Sequence, residues 1–243
     1  MDPLTISAAA GLQSRMDSLD LLANNIANQS TGGFKADRES YSLYVAPETA
    51  GSVPDADALP VVERLWTDFS QGELRPTGNP LDLAVAGKGF FAVSTSSGPL
   101  YTRDGSFRLS ASGQLVTADG YTVRAVGGEP LTLSAAAPVD VSPDGTVRQN
   151  GQTAGKLEIV DFPSPAALAR QAHSYFRLTE ANAQTVPASG YQVHQGNLEN
   201  SNDSGARAAV RLVTVMRQFE MLQKAITLGT EMNQKALDEV AKV

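Results

Sequence analysis

Chemistry in this chain would have to come from a short roster of side chains. It has two histidines, His173 and His194, and no cysteine, so disulfides, zinc–thiolate sites and cysteine nucleophiles are excluded at once. Neither histidine has a His, Asp or Glu companion at metal-ligand spacing, and both read as surface or structural groups. Asp104, Asp119 and Asp144 could in principle hold calcium or form a glycosidase-type carboxylate pair. Each stands directly before a glycine, however, where Asp serves turn geometry and local hydrogen bonding, and no D-x-D-x-D-G ladder occurs. Ala86-Gly87-Lys88-Gly89 has only the outline of a phosphate loop. A Walker-type loop needs Gly five residues before the Gly-Lys pair and Ser or Thr after the Lys, and Asp82 and Gly89 occupy those places. A G-x-S-x-G nucleophile elbow is missing as well. The residues present support no catalysis and call for no cofactor.

The candidate acids instead punctuate a β-rich middle. Asp104-Gly105, Ser112-Gly113, Asp119-Gly120, Asp144-Gly145 and Asn150-Gly151 are turn signals, several of them about 8–12 residues apart, as in antiparallel hairpins. Between and around them the spacing predicts strands at Leu83–Val85, Phe90–Val93, Phe107–Leu109, Gln114–Thr117, Val139–Val141 and Lys156–Val160, and again at Tyr175–Thr179 and Gln192–Leu198. A short helix capped by Ser164 is expected at Pro165–Gln171. Ala46–Pro60, with Pro47, Pro54, Pro60, Glu48, Asp55 and Asp57, reads as an exposed loop.

Both ends carry a different period. Ala9, Leu12, Met16, Leu19, Ala23 and Ile26 recur at alternating spacings of 3 and 4. Ala208, Leu212, Val215, Phe219, Leu222 and Ile226 do the same, the phase continuing to Ala236 and Val240 past breaks at Gly229 and Asn233. That spacing keeps one apolar stripe on one side of a helix, the geometry of a coiled-coil seam. The first helix should begin near Pro3 with Asp2 as cap, fade through Asn24, Asn25 and Asn28, and stop by Gly32-Gly33, where a positive φ is expected. The second should run from Ser204–Ala206 to about Ala241.

A chain of 243 residues suffices for a sizeable core, and its 6% aromatic content favours Ala, Leu and Val packing over a large aromatic pocket. With a net charge of −7 and no Lys/Arg run, no nucleic-acid or anionic-lipid footprint is present. No window approaches the ~18 apolar residues of a membrane span. Met1-Asp2-Pro3 is acidic and no apolar run follows Arg15, so passage out of the cytoplasm would be expected without a cleaved signal.

At Leu21–Lys35 the stretch LLANNIANQSTGGFK resembles the N-terminal signature of flagellar rod and hook proteins, with Ala23, Asn24, Asn25, Ala27, Asn28, Thr31, Gly33 and Phe34 in register. Three further blocks resemble the same family: QGELRPTGNPLDLAVAGKGFF at Gln71–Phe91, YTRDGSF through GQLVTADGY at Tyr101–Tyr121, and QGNLENSN at Gln195–Asn202. The short middle region is similar to that of rod members; the Met1-Asp2 start and Arg217–Met221 lean toward the proximal type, the distal type next. Asp203 departs from the pattern, standing where relatives usually carry Val. The resemblance implies a non-enzymatic subunit of the basal-body rod that transmits torque, with copies of itself, other rod proteins and the flagellar type III export apparatus as partners. It implies terminal helices lining a tube and β-domains outside. Asn24, Asn25 and Asn28 could then set register where helices meet.

The expected fold is thus α+β: a mainly antiparallel β centre with N- and C-terminal helices pairing as a coiled-coil-like stem. Residues 1–35 form the first axial helix, 36–70 a connector containing the loop 46–60, 71–190 the β-rich domain, 191–204 a return segment and 205–243 the last helix. The expected assembly interface comprises Leu12, Met16, Leu19, Ala23, Asn24, Asn25, Ile26, Asn28, Gly33, Phe34, Leu212, Val215, Phe219, Leu222 and Ile226. The rival class is a β-rich hydrolase or carbohydrate-binding module that dimerises through helical ends.

Overall fold

A computed structural model describes residues 3–45, 58–179 and 184–240. The described residues are α+β: two α-helices, one near each end of the sequence, with strands between them in chain order whose described pairings are all antiparallel. It divides into two compact units, each built from separate stretches of sequence. Unit 1 holds residues 1–27, 37–67 and 204–243; unit 2 holds 28–36 and 68–203.

In unit 1, helix α1 spans Pro3–Ala27 and helix α2 spans Gly205–Val240. Pro3 sits at the helix start, where its missing N–H costs nothing, and Ser204 closes the first turn of α2 by accepting the Ala208 N–H. Strands β1 (Asp37–Val45) and β2 (Ala58–Thr67) pair as a two-stranded ribbon, with a register irregularity at Ser40/Tyr41. The connector expected at 36–70 is thus largely strand. Of the loop expected at 46–60, residues 58–60 belong to β2, and 46–57 lie outside the described residues. Asn25 is buried on α1 and fastens the ribbon to it: its Oδ1 accepts the Asp37 N–H at 3.0 Å and its Nδ2 donates to the Asp37 carbonyl at 2.9 Å.

Unit 2 is organised round a nine-stranded sheet in which Phe90–Thr95 lies between Gly98–Thr102 and Thr122–Val123. One core gathers Leu83, Val85, Phe91, Val93, Leu115, Val123, Leu157 and Val193; another is aromatic, around Phe90, Phe162 and Phe176. The turn acids do what turns require. Asp104 Oδ1 accepts the Ser106 N–H and Oγ–H, and Asp144 accepts the same pair from Thr146. Gly105 is there because Cβ would sit 1.7 Å from the Leu83 carbonyl oxygen. His173 lies exposed in a turn with φ 41°, and His194 is exposed on the strand Gln192–Gln195.

A further sequence expectation is corrected, besides the single strand expected at Lys156–Val160, where Gln152–Lys156 and Ile159–Asp161 are separate strands. Pro165–Ala167 makes a single 3₁₀ turn and Leu168–Ala172 is a strand, not a helix to Gln171. Ser164 still accepts the Ala167 N–H through its carbonyl, but pairing of Leu168–Ala172 with Tyr175–Leu178 overrides the helical preference of the alanines.

Candidate assembly surfaces and a buried clasp

The helix surfaces come first, because the predicted interface lies mainly on them. On α2, Val215 and Ala208 are buried while Leu212, Phe219, Leu222 and Ile226 are half-buried, so this stripe faces into unit 1. On α1 the buried face runs Gly11, Ser14, Ser18, Leu22 and Asn25. Gly11 lies against Leu222: a Cβ added there would come within 3.4 Å of Leu222 Cδ1. The α1 stripe read from the sequence is rotated off that face. Ala9, Met16 and Ala23 are exposed, as is Asn24, while Leu12, Leu19 and Ile26 are half-buried.

α2 has a further apolar strip on the side away from Val215. Val210 (70%), Met221 (62%), Leu228 (59%) and Met232 (64%) are exposed within the chain. Arg211 leaves α2 to meet Glu39 on β1 at 2.6 Å, where the Glu39 side chain is almost fully buried. That pair ties helix to ribbon.

The remaining signature residues sit in unit 2, in a clasp that sequence spacing did not reveal. Gly33 has φ 62°, and a Cβ there would lie 2.3 Å from the Arg103 carbonyl carbon and the Asp104 nitrogen. Only glycine fits, both conformationally and sterically. Its N–H donates to the Glu199 carbonyl at 2.7 Å. Phe34 is fully buried beneath the Arg170 guanidinium, 4.6 Å from the ring centroid, and Asn28 is half-buried, accepting the Thr31 hydroxyl.

Beside them, Lys35 Nζ donates to Glu199 Oε1 at 2.5 Å and to the Ser70 carbonyl at 2.8 Å, with the Lys35 and Glu199 side chains both fully buried. The Gly72 N–H donates to the same Glu199 oxygen at 2.8 Å. Arg103 Nη1 donates to Glu199 Oε2 at 3.3 Å and to the Val85 carbonyl, while Nη2 donates to the Gly87 carbonyl at 2.7 Å. Asn202 completes the clasp: its Oδ1 accepts the Ala36 N–H at 2.7 Å and its Nδ2 donates to the Asp68 carbonyl at 2.6 Å. Burial pulls the Lys35 ammonium below its ordinary pKa, with Glu199 opposing the shift. A buried carboxylate whose oxygens are shared among two cations and a backbone amide meets the conditions under which an interior ion pair is tolerated.

All four sequence blocks meet here. Lys35 comes from the first, Gly72, Val85 and Gly87 from the second, Arg103 from the third, and Glu199 and Asn202 from the fourth. Asp203, the departure from the pattern, is buried at the end of this segment, its N–H donating to Ser201 Oγ at 3.3 Å. No group of three or more His, Cys, Asp or Glu that could hold a metal is found among the described residues, and no described helix is long and apolar enough to cross a membrane.

Residues 84–149 match the model of the flagellar hook protein FlgE/F/G D1 domain, and residues 194–239 match that of the flagellar basal body rod FlgEFG protein C-terminal region. The chain is 33% identical over 231 residues to the flagellar basal-body rod protein FlgF of Caulobacter vibrioides, covering 93% of this chain and 92% of the relative. It is 30% identical over 218 residues to FlgF of Mesorhizobium japonicum, covering 89% and 88%. It is 32% identical over 257 residues to the rod protein FlgG of Agrobacterium fabrum, covering 93% and 94%.

Proposed function

Since the chain belongs to the flagellar basal-body rod protein family and is a structural, non-enzymatic subunit of that rod, we propose that it assembles through its terminal helices, in contact with copies of itself and with other rod proteins. The rival reading as a hydrolase or carbohydrate-binding module has no support. The observation that carries the proposal is the apolar surface left outside unit 1: Met16 on α1 and Val210, Met221, Leu228 and Met232 on α2 are each about half or more exposed. Large apolar side chains left exposed along one helix face mark a site of protein contact.

In this reading the α1 stripe of Leu12, Met16, Leu19, Ala23 and Ile26 packs on neighbouring subunits as a coiled-coil-like seam. Leu212, Val215, Phe219, Leu222 and Ile226 hold α1 and α2 together within one subunit. Asn24 at the end of α1 then meets a neighbour's backbone or amide groups, whereas Asn25 holds the ribbon to α1 and Asn28, Gly33 and Phe34 pack within unit 2. Passage through the flagellar type III export apparatus without a cleaved signal, placement in the periplasm-spanning rod and transmission of torque to the hook belong to the same proposal.

The test is Leu19→Asp against Leu222→Asp in cells, with soft-agar motility and rod recovery as readouts and protein levels matched. An unpaired charge in a protein interface costs several kcal/mol, so Leu19→Asp should abolish assembly while leaving the β-rich unit 2 folded. Leu222→Asp should also lower the stability of unit 1. Normal swimming by Leu19→Asp would sink the assignment of that stripe to subunit contact.

A further inference from the structure

Sulfur in this chain is carried by methionine alone: there are five, and no cysteine. Met16 on α1 and Met216, Met221 and Met232 on α2 lie in the described helices. None of these four belongs to the hydrophobic clusters of unit 2, where a flexible thioether would serve to fill gaps. All are turned outward, Met16 and Met216 being 51% and 49% exposed and the other two more so. Met221 and Met232 stand about three turns apart on one side of α2, in line with Val210 and Leu228. Met16 belongs to the α1 stripe with Leu12, Leu19 and Ile26. Met216 lies about 140° round α2 from Met221, off the strip.

An exposed thioether is open to peroxide, and no thiol in the chain competes for the oxidant. The sulfur lone pair attacks one peroxide oxygen, and the O–O bond breaks as an S–O bond forms. The departing hydroxide takes the proton left on the transferred oxygen and becomes water. Sulfur is oxidised by two electrons and the peroxide reduced by two. The product sulfoxide is polar, so each site sets a strong hydrogen-bond acceptor in an apolar strip. Covered by a neighbour without a donor, that acceptor carries its full desolvation cost.

We propose that Met16, Met221 and Met232 are sites of reversible sulfoxidation by hydrogen peroxide in the free subunit, and that their sulfoxides keep it out of the rod. This rests on the reading of these strips as assembly surfaces. Methionine sulfoxide reductases restore the thioether, and assembly, by covering the sulfurs, withdraws them from the oxidant. Because each side chain is half or more outside the fold, oxidation changes the surface and leaves the helices in place.

Peptide mapping of the purified full chain in excess hydrogen peroxide tests the chemistry. Met16, Met221 and Met232 should each gain one oxygen at a rate within about threefold of free methionine in the same solution, with far-ultraviolet dichroism unchanged. Oxidation about tenfold or more slower at these residues, or loss of helix as they oxidise, would overturn the proposal without touching the rod reading. The consequence is tested in cells with M16Q/M221Q/M232Q against M16L/M221L/M232L, since Gln stands in for the polar sulfoxide at similar length. At matched protein levels the Gln chain should be at least about tenfold scarcer than the Leu chain in isolated basal bodies. If neither triple incorporates, M221Q against M221L supplies the same comparison. Equal recovery of Gln and Leu chains would overturn the proposal, while Leu19→Asp decides the rod reading separately.

Discussion

At the scale of single residues, the clasp makes the sharpest claims. Removing one partner of a buried ion pair leaves an uncompensated charge and costs about 3–5 kcal/mol. Glu199→Gln should therefore destabilise unit 2 by that order, read as a lower denaturant midpoint, since Lys35 and Arg103 would share one neutral acceptor. Asp104 behaves differently. Burial raises its pKa above the ordinary 3.8, and its hydrogen bonds to Ser106 only partly oppose this. The folded state then holds the proton more tightly than the unfolded chain, so stability falls as pH rises from about 3.8 through the raised folded value. Asp104→Asn, which keeps the acceptor for Ser106, should gain on the wild type across that window in paired melts; a constant gap from pH 4 to pH 7 would contradict it. The positive φ of Gly33 and the turn acids were legible because those features are local: a left-handed backbone and a bend before Gly; the tie from Asn25 to Asp37 was not, because it spans the end of the helix and the start of a strand. Nor were Lys35, Arg103, Glu199 and Asn202. Charged and amide residues read individually as solvated surface, and their partners lie as far as 166 residues away along the chain.

Whole elements were legible wherever periodicity and length agreed. The two long helices fall where the heptads put them, and α2 runs from Gly205 to Val240. The stripe on α1 was found, yet which of its faces packs inside the chain was not, because Gly11, Ser14 and Ser18 carry no hydrophobic signal; small residues bury by close approach. The β1–β2 ribbon escaped notice beside a proline-rich stretch, and Leu168–Ala172 was misread because strand pairing decided against local propensity. One element-scale prediction concerns Gly229. It continues α2 without a break, and a Cβ there would meet nothing within 4 Å. Gly229→Ala should thus stabilise the isolated subunit by about 1 kcal/mol through helix propensity. If thermal stability rises while motility falls, the glycine is kept for close approach of a neighbouring helix; unchanged motility would show that the position is free.

At the scale of the molecule, each unit is stitched from distant stretches, and the short strands closing unit 2 pair early sequence with late. Leu83–Ala86 pairs with Gln192–Gln195, and Leu74–Pro76 with Asn197–Glu199. The sequence blocks marked those stretches as special, but spacing alone could not say that they touch; only the strand registers and the hydrogen bonds of Glu199 and Asn202 do. A chain ending at Gln195 should accordingly leave unit 2 unfolded by amide spectrum and protease sensitivity, whereas one ending at Asp203 should fold it. Folding of the shorter chain would show the clasp to be dispensable. The same stitching acts as a clock on any process that delivers the polypeptide from its N-terminus, whether a ribosome or a narrow pore. Until Glu199 and Asn202 have emerged, Lys35 lacks the Glu199 carboxylate and the Ala36 N–H its amide oxygen, so the clasp cannot set before residue 202 is delivered, and a product ended earlier should never set.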